Sequence, residues 1–291
     1  MSFEGVFNID KPQGITSHDA VNRLRRLSGI RRVGHAGTLD PLATGVLIIC
    51  IGRATRLVEY LIGLPKEYEA IIRLGQVTDS YDADGALVSE QDITVSGSDI
   101  KKSLAKFRGR IQQRAPIYSA IKKQGVPLYK LARDGVSVKA PVREVEIYEL
   151  AIVSWEKPNL EIKVRCAAGT YIRSLAHDLG QELGCGGHIT SLTRTSVGNF
   201  RLSNAVSLDD LHDENWSDYS LPADIAVQHL PRLDLRADEA HRVQLGQRIG
   251  RLDIHPEASI VRAYEQNGRF IGILSATESA WQPHKMFLVD S

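Results

Sequence analysis

The chain is predicted to be an α+β protein, with a mixed, mostly antiparallel sheet flanked by helices and a small β-rich unit at the C-terminus. Three observations predict it. Apolar and polar residues alternate over 68–74 (Tyr68, Ala70, Ile72, Leu74) and over 160–166 (Leu160, Ile162, Val164, Cys166), the period of strands with one buried face. Two sets at helical spacing, Val21, Leu24 and Leu27, then Ile100, Leu104 and Phe107, are interspersed with such strands. Neighbouring strands are close enough for hairpins, and no regular strand-helix-strand repeat runs through the chain.

Thr16 or Ser17 caps a first helix, since a hydroxyl accepts an unpaired amide of the first turn, and Gly29 ends it. Residues 34–47 form a glycine-rich loop that leads into the apolar run Val46 to Ile51. After the strand that begins at Tyr68, Ser98 caps a second helix ending near Gly109. The long segment Arg143 to Trp155 is expected to pair with the strand Leu160 to Cys166. Arg173 opens a helix whose Ile172, Leu175, Ala176 and Leu179 share an apolar side and which Gly184 ends. The acidic, poorly periodic stretch from Asp209 to Asp224 reads as a linker. Beyond it come a short helix, Ala237 to Leu245, and alternating strands near Ile260 to Tyr264 and Arg269 to Leu274. The expected division is residues 1–230 and 231–291.

With 43% hydrophobic and 24% charged residues, the 291-residue chain has the composition of a soluble globular protein with a sizeable core. No apolar stretch approaches the roughly 20 residues of a membrane span, so no membrane partner is expected. Glu4 and Asp10, with no basic start before an apolar run, argue against a secretory signal, and a cytoplasmic location is expected. Cys50, Cys166 and Cys185 contain no C-x-x-C pair and lie beside apolar residues, which fits reduced, buried thiols. Cys185 and His188, with His177 upstream, have metal-like spacing, but no second pair completes a zinc site and no metal is expected.

The formal net charge is only +1, but it is unevenly distributed. Ten Lys or Arg and no acid fall between Ile100 and Arg133, interleaved with Phe107, Tyr118 and Tyr129. Arg23, Arg25, Arg26, Arg31 and Arg32 lead into the glycine-rich loop, whereas residues 202–231 hold six acids and no Lys or Arg. A charge run is commonly a solvated face. Two basic runs flanking one loop favour a polyanionic ligand.

That loop, Gly34 to Leu47, carries a single carboxylate, Asp40. Pro41 disfavours the α region for Asp40, and Gly34, Gly37 and Gly45 allow turns and close approach by a ligand. Asp-Pro beside glycine is also an ordinary turn signature. The string Gly34-His35-Ala36-Gly37-Thr38-Leu39-Asp40-Pro41-Leu42-Ala43-Thr44-Gly45 closely resembles the signature of the bacterial TruB family of tRNA pseudouridine synthases. Gly5 to Pro12 with Gly14, Lys66-Glu67-Tyr68, Gly75 with Asp82-Ala83-Asp84-Gly85, and Phe107-Arg108-Gly109 follow the family's order and spacing. So do Pro116 to Lys122, Gly169-Thr170-Tyr171-Ile172-Arg173 and Leu192-Thr193-Arg194. The resemblance is strong over about the first 200 residues and weak beyond, where it suggests a PUA-like β-barrel, an RNA-binding module.

The resemblance implies a cofactor-free isomerisation of uridine to pseudouridine, at position 55 in the T loop of tRNA, after the base is flipped out. Asp40 matches the catalytic aspartate; whether it attacks C1′, adds to the pyrimidine or takes a proton from C2′ stays open. Arg173 is implied to form a salt bridge with Asp40, and an exposed pairing with Asp178 is its plainer reading. Tyr68 is implied to stack on the uracil, Tyr171 and Leu192 to line the pocket, and His35 to enter the RNA loop. Each also reads as a core or structural residue. The basic segment at about 100–140 corresponds to an insertion that closes over the RNA, contributing phosphate contacts. The expected partner is the T arm of tRNA, with no obligate protein partner and a monomeric state. Two rivals remain: a non-catalytic tRNA-folding chaperone on the same surface, and a base-exchanging transglycosylase.

Overall fold

An unbroken apolar strand needs cover on both faces, and Thr44–Ile51 has it. Leu47, Ile49 and Ile51 enter one core with the helices Ser17–Ser28 and Ile172–Glu182, while Val46, Ile48 and Cys50 enter a second core on the opposite face. In the computed structural model, which describes residues 3–119, 121–134, 136, 138, 140–251 and 257–287, this strand lies within a ten-stranded sheet. The order is Val206–Ser207, Gly5–Lys11, Thr44–Ile51, Gly187–Val197, Lys66–Leu74, Asn159–Cys166, Val142–Glu156 and Gly109–Arg114. Val33–His35 and Phe200–Arg201 pair at its sides. Thr193 pairs with Thr44, and Ile9 with Val206, in parallel; the remaining ladders are antiparallel. The α+β reading with a mixed, mostly antiparallel sheet therefore describes the molecule.

The first helix begins as its sequence requires. Thr16 Oγ1 accepts from the Asp19 amide, and the Asp19 carboxylate accepts from the Thr16 amide at 2.9 Å, a reciprocal cap. Gly29, with φ 66°, closes the helix in the left-handed conformation. The second helix, Gly97–Ala105, is capped by Ser96 and not by Ser98, because Asp99 stands three residues after Ser96 and completes the same reciprocal pair. It stops before Phe107, which lies in the turn leading to Gly109–Arg114.

The stretch Asp209 to Asp224 is no free linker. Leu208 and Leu211 are buried in the main core, Trp216 packs edge-on against Phe3 with ring centroids 4.7 Å apart, and Leu221 exchanges backbone hydrogen bonds with Val6 at 2.8 and 2.9 Å. Short 3₁₀ turns interrupt this stretch, so its core contacts come singly and no period marks them.

The C-terminal unit is a five-stranded sheet in the order Arg232–Leu235, Ile260–Glu265, Phe270–Ala276, Ala280–Met286, Ile249–Gly250. With the helix Ala237–Gln244 it encloses Val261, Leu274 and Trp281, as a small PUA-like barrel would. It is also joined to the main sheet. Ile273 and Phe287 share the second core with Val46 and Ile48, Arg56 Nη1 donates to the Met286 carbonyl at 3.0 Å, and Lys285 donates to the Arg56 carbonyl and pairs with Glu59. No helix among the described residues is long and apolar enough to cross a membrane.

Candidate active site

The loop that carries Asp40 runs from the edge of Val33–His35 to the start of Thr44–Ile51, and three buried side chains tie it down. Ser17 Oγ donates to the Leu39 carbonyl at 3.0 Å and accepts from the Leu39 amide at 2.8 Å. Lys11 Nζ donates to the carbonyls of Pro12 and Ile15 at 2.7 and 2.9 Å and reaches that of Pro41 at 3.5 Å; burial pushes this ammonium down to about 8. Arg194 is 1% exposed and donates to the carbonyls of Val46, Gly37 and Thr38 at 2.7, 3.1 and 3.4 Å. Gly45 lets the loop meet the strand carrying Arg194. Its φ is 96°, and a Cβ there would lie 2.3 Å from the Arg194 carbonyl oxygen.

Arg173, 5% exposed at the start of the helix Ile172–Glu182, faces this loop. Its Nη2 donates to Asp40 Oδ1 at 3.0 Å, and its Nε lies 3.0 Å from Asp40 Oδ2, off the line of a hydrogen bond. The same guanidinium donates through Nη1 to Asp82 Oδ2 at 3.0 Å and to the Ser80 carbonyl at 3.2 Å, and through Nη2 to the Tyr118 carbonyl at 2.9 Å. Asp82 is held in turn by Ser80 Oγ at 2.5 Å and the Asp84 amide at 3.2 Å. Burial raises the Asp40 carboxyl above the ordinary aspartate value; Arg173 pulls it down, Asp82 pushes it up and Lys11 pulls it down. Its side chain keeps 36% exposure, opening on a cleft of about 450 Å³.

Asp40, Tyr68, Tyr171, Arg173 and Leu192 all line that cleft, with Lys66 and Arg194 beside them. Tyr68 and Leu192 come from the adjacent strands Lys66–Leu74 and Gly187–Val197 and form an apolar wall, both under 9% exposed. Burial pushes the Tyr68 and Tyr171 phenols above their ordinary value, so both are neutral at pH 7. Burial also pushes the Lys66 ammonium down to about 8. His35 is not in the cleft lining; it ends the strand Val33–His35, its Nδ1 buried without a partner, and burial followed by the Arg194 charge lowers its pKa.

Asp82, Arg194 and Lys11 join the site without being expected there from the sequence. All three lie in strings that the family resemblance picks out, but nothing local marks a cation surrounded by carbonyls or a carboxylate shared through an arginine. The plainer pairing of Arg173 with Asp178 gives way to Asp40 and Asp82.

Much of the basic run is engaged within the protein. Lys106 pairs with Glu182 at 2.5 Å, Arg108 donates to the Leu150 carbonyl at 2.8 Å, and Arg114 donates to the Ala140 carbonyl at 3.0 Å. Gly109–Arg114 belongs to the main sheet and pairs with Val142–Glu156, so the excursion from the sheet begins after Arg114 and not at about residue 100. There the Tyr118 carbonyl meets Arg173. The side chains of Lys122, Lys123, Tyr129 and Arg133 lie outside the described residues. On the other flank, Arg23 pairs with Asp209 at 2.8 Å, and Arg26 and Arg31 are exposed.

The chain finds its match in known proteins. Residues 25–172 match the TruB family pseudouridylate synthase N-terminal domain, and 173–231 and 231–285 match two TruB C-terminal domains. The chain belongs to the TruB family. It is thereby a pseudouridylate synthase, an isomerase. Among its relatives, the tRNA pseudouridine synthase B of Pseudomonas aeruginosa (strain UCBPP-PA14) is 42% identical over 284 residues, 95% of this chain and 93% of that protein. The protein of the same name from Dehalococcoides mccartyi (strain CBDB1) is 42% identical over 296 residues, 99% of this chain and 98% of its own. Among solved structures, a chain of a Cbf5-Nop10-Gar1 complex superposes on this TruB fold with TM-score 0.75 at 26% identity, covering 98% of this chain and 85% of that one.

Proposed function

We propose that this TruB protein converts uridine 55 in the T loop of tRNA to pseudouridine, without cofactor, using Asp40. The observation that carries the reading is the Asp40 carboxylate, fixed by Arg173 at the floor of a cleft whose wall is Tyr68 and Leu192. The reaction breaks the C1′–N1 bond and joins C1′ to C5; the C5 proton leaves and N1 gains one, so no atoms are gained overall. A detached uracil must be held while it turns, and the Tyr68 ring with Leu192 offers it a flat apolar surface. Asp40 acts at the sugar or base as carboxylates do in glycoside chemistry, with Arg173 favouring its ionised form. A nucleotide in a folded loop reaches Asp40 only by leaving its stack, at about a few kcal/mol, and His35 fills the gap it leaves.

In this reading residues 1–230 form the catalytic domain and 231–291 an RNA-binding unit that adds affinity rather than chemistry. Segment 115–141 closes over the T arm, which is recognised mainly by shape and backbone. The protein works in the cytoplasm as a monomer with no obligate protein partner. Release of tritium from tRNA labelled at uridine C5 tests the reading. Release by the wild type and none by Asp40→Asn at equal RNA binding supports it; release by Asp40→Asn at the wild-type rate refutes the role of Asp40, and release by neither, with binding intact in both, leaves an RNA-folding chaperone as the better account.

A further inference from the structure

Tyr81 has φ 65°, a left-handed backbone that an aromatic residue seldom adopts, and it lies between two groups that hold Arg173. The Ser80 carbonyl and the Asp82 carboxylate both meet the same nitrogen, Nη1. An extended residue at 81 would set the Cα atoms of 80 and 82 about 7 Å apart along the chain, whereas a left-handed one turns the chain between them. The left-handed turn is what makes them converge.

Contacts on the far side of Tyr81 hold that turn in place. Its ring stacks on His177, with centroids 3.9 Å apart and planes at 16°. Its carbonyl accepts from the Ile189 amide at 3.0 Å. His177 lies four residues after Arg173 in the helix Ile172–Glu182, so both project from one side of that helix. His177 Nδ1 is buried without a hydrogen-bond partner, so ring contact fixes the imidazole, and burial lowers its pKa and keeps it neutral. Neither ring lines the cleft.

We propose that the Tyr81–His177 stack is a positioning device for the reaction: it clamps the left-handed turn to the helix that carries Arg173, so that Ser80 and Asp82 fill one edge of the guanidinium and leave the other to Asp40. The proposal rests on the reading of Asp40 given above. Tyr81 and His177 touch no substrate and act through Asp82 and Arg173.

The test measures single-turnover pseudouridine formation on a tRNA transcript, with RNA affinity measured separately by filter binding. Tyr81→Phe and His177→Phe keep a stack and are expected to stay within about twofold of the wild-type rate. Tyr81→Gly accepts the turn but loses the ring, which separates the stack from backbone strain. Tyr81→Gly and His177→Ala are expected to slow the rate about tenfold while Kd stays within about twofold. Their double variant is expected to be no slower than either alone. Wild-type rates in the two single variants, or losses that add in the double variant, overturn the proposal. A second readout needs no turnover: the NMR titration of the Asp40 carboxyl carbon moves upward in Tyr81→Gly and His177→Ala as the hold of Arg173 loosens, and stays in place in Tyr81→Phe. An unmoved titration overturns the stack's role whatever the activity, whereas an inert wild type with a moved titration counts only against the reading of Asp40.

Discussion

Asp40 and Asp82 share one guanidinium: Arg173 Nη2 donates to the first and Nη1 to the second, each at 3.0 Å. Asp82 is nearly enclosed, with a side chain 6% exposed, whereas Asp40 keeps 36%. The inner carboxylate thus anchors the cation and the outer one faces the cleft. A single ion pair between Arg173 and Asp40 would leave the guanidinium free to swing with any movement of the loop.

Replacing Arg173 with lysine tests the sharing. A point charge on a flexible stem cannot present two edges to two carboxylates. Arg173→Lys is expected to fold and bind RNA while its single-turnover rate falls by about 100-fold, as misplacement of a reacting group does. A rate within a few-fold of wild type would show that charge alone suffices.

Asp82→Asn makes a prediction about pH. Burial, with the neighbouring Asp82 charge, raises the Asp40 carboxyl, so activity that needs the carboxylate falls off in acid at a pH above the ordinary aspartate value. Removing the Asp82 charge takes away a repulsion, which lowers the Asp40 pKa. The acid limb of the rate profile is therefore expected to move to lower pH, even as the plateau drops through loss of the anchor. Measuring the rate from about pH 4 to 8 checks the direction.

Asp178 supplies a stability prediction. Burial, opposed by the Arg114 charge, pushes its carboxyl up to about 6 from an unfolded value of 3.8. The folded state therefore binds more protons than the unfolded state between these values, and stability falls as pH rises through the folded pKa. Asp178→Asn is expected to stabilise the protein by about 1 kcal/mol at pH 7 to 8, after allowance for partial exposure, and by nothing near pH 3. Urea denaturation at the two pH values reads it.

The loop clamp is expected to be costly to lose. Arg194→Met strands three carbonyls that the guanidinium serves, and about 3 kcal/mol of stability should go with it. Gly45→Ala drives a methyl group into the Arg194 carbonyl and imposes an unfavourable φ, with a loss of about 2 kcal/mol or more. In both, thermal melts should show the loss.

Much of this arrangement is legible in the amino-acid sequence. The alternation beginning at Tyr68 named its strand face, and Thr16 with Val21 and Leu24 named the first helix, because both signals are local and periodic. The motif around Asp40 marked the loop, and the family string marked Arg173. The cap of the second helix is Ser96 and not the expected Ser98, because the cap is set by the reciprocal partner Asp99 and not by a hydroxyl alone. The segment from Asp209 to Asp224 reads as a linker because the burial of Leu211 and the packing of Trp216 depend on distant residues. The roles of Asp82 and Arg194 were illegible for the same reason: each depends on a partner more than 90 residues away along the chain.

The join between the C-terminal sheet and the main one also governs how the protein comes apart. Phe287 and Ile273 cover Val46 and Ile48 as lodgers in a core the N-terminal residues began, and the cation of Lys285 reaches back to Glu59. A chain that looks modular in sequence is thus one cooperative body, expected to melt in a single calorimetric transition. A chimera that exchanges residues 231–287 for a foreign barrel inherits a bare hydrophobic floor.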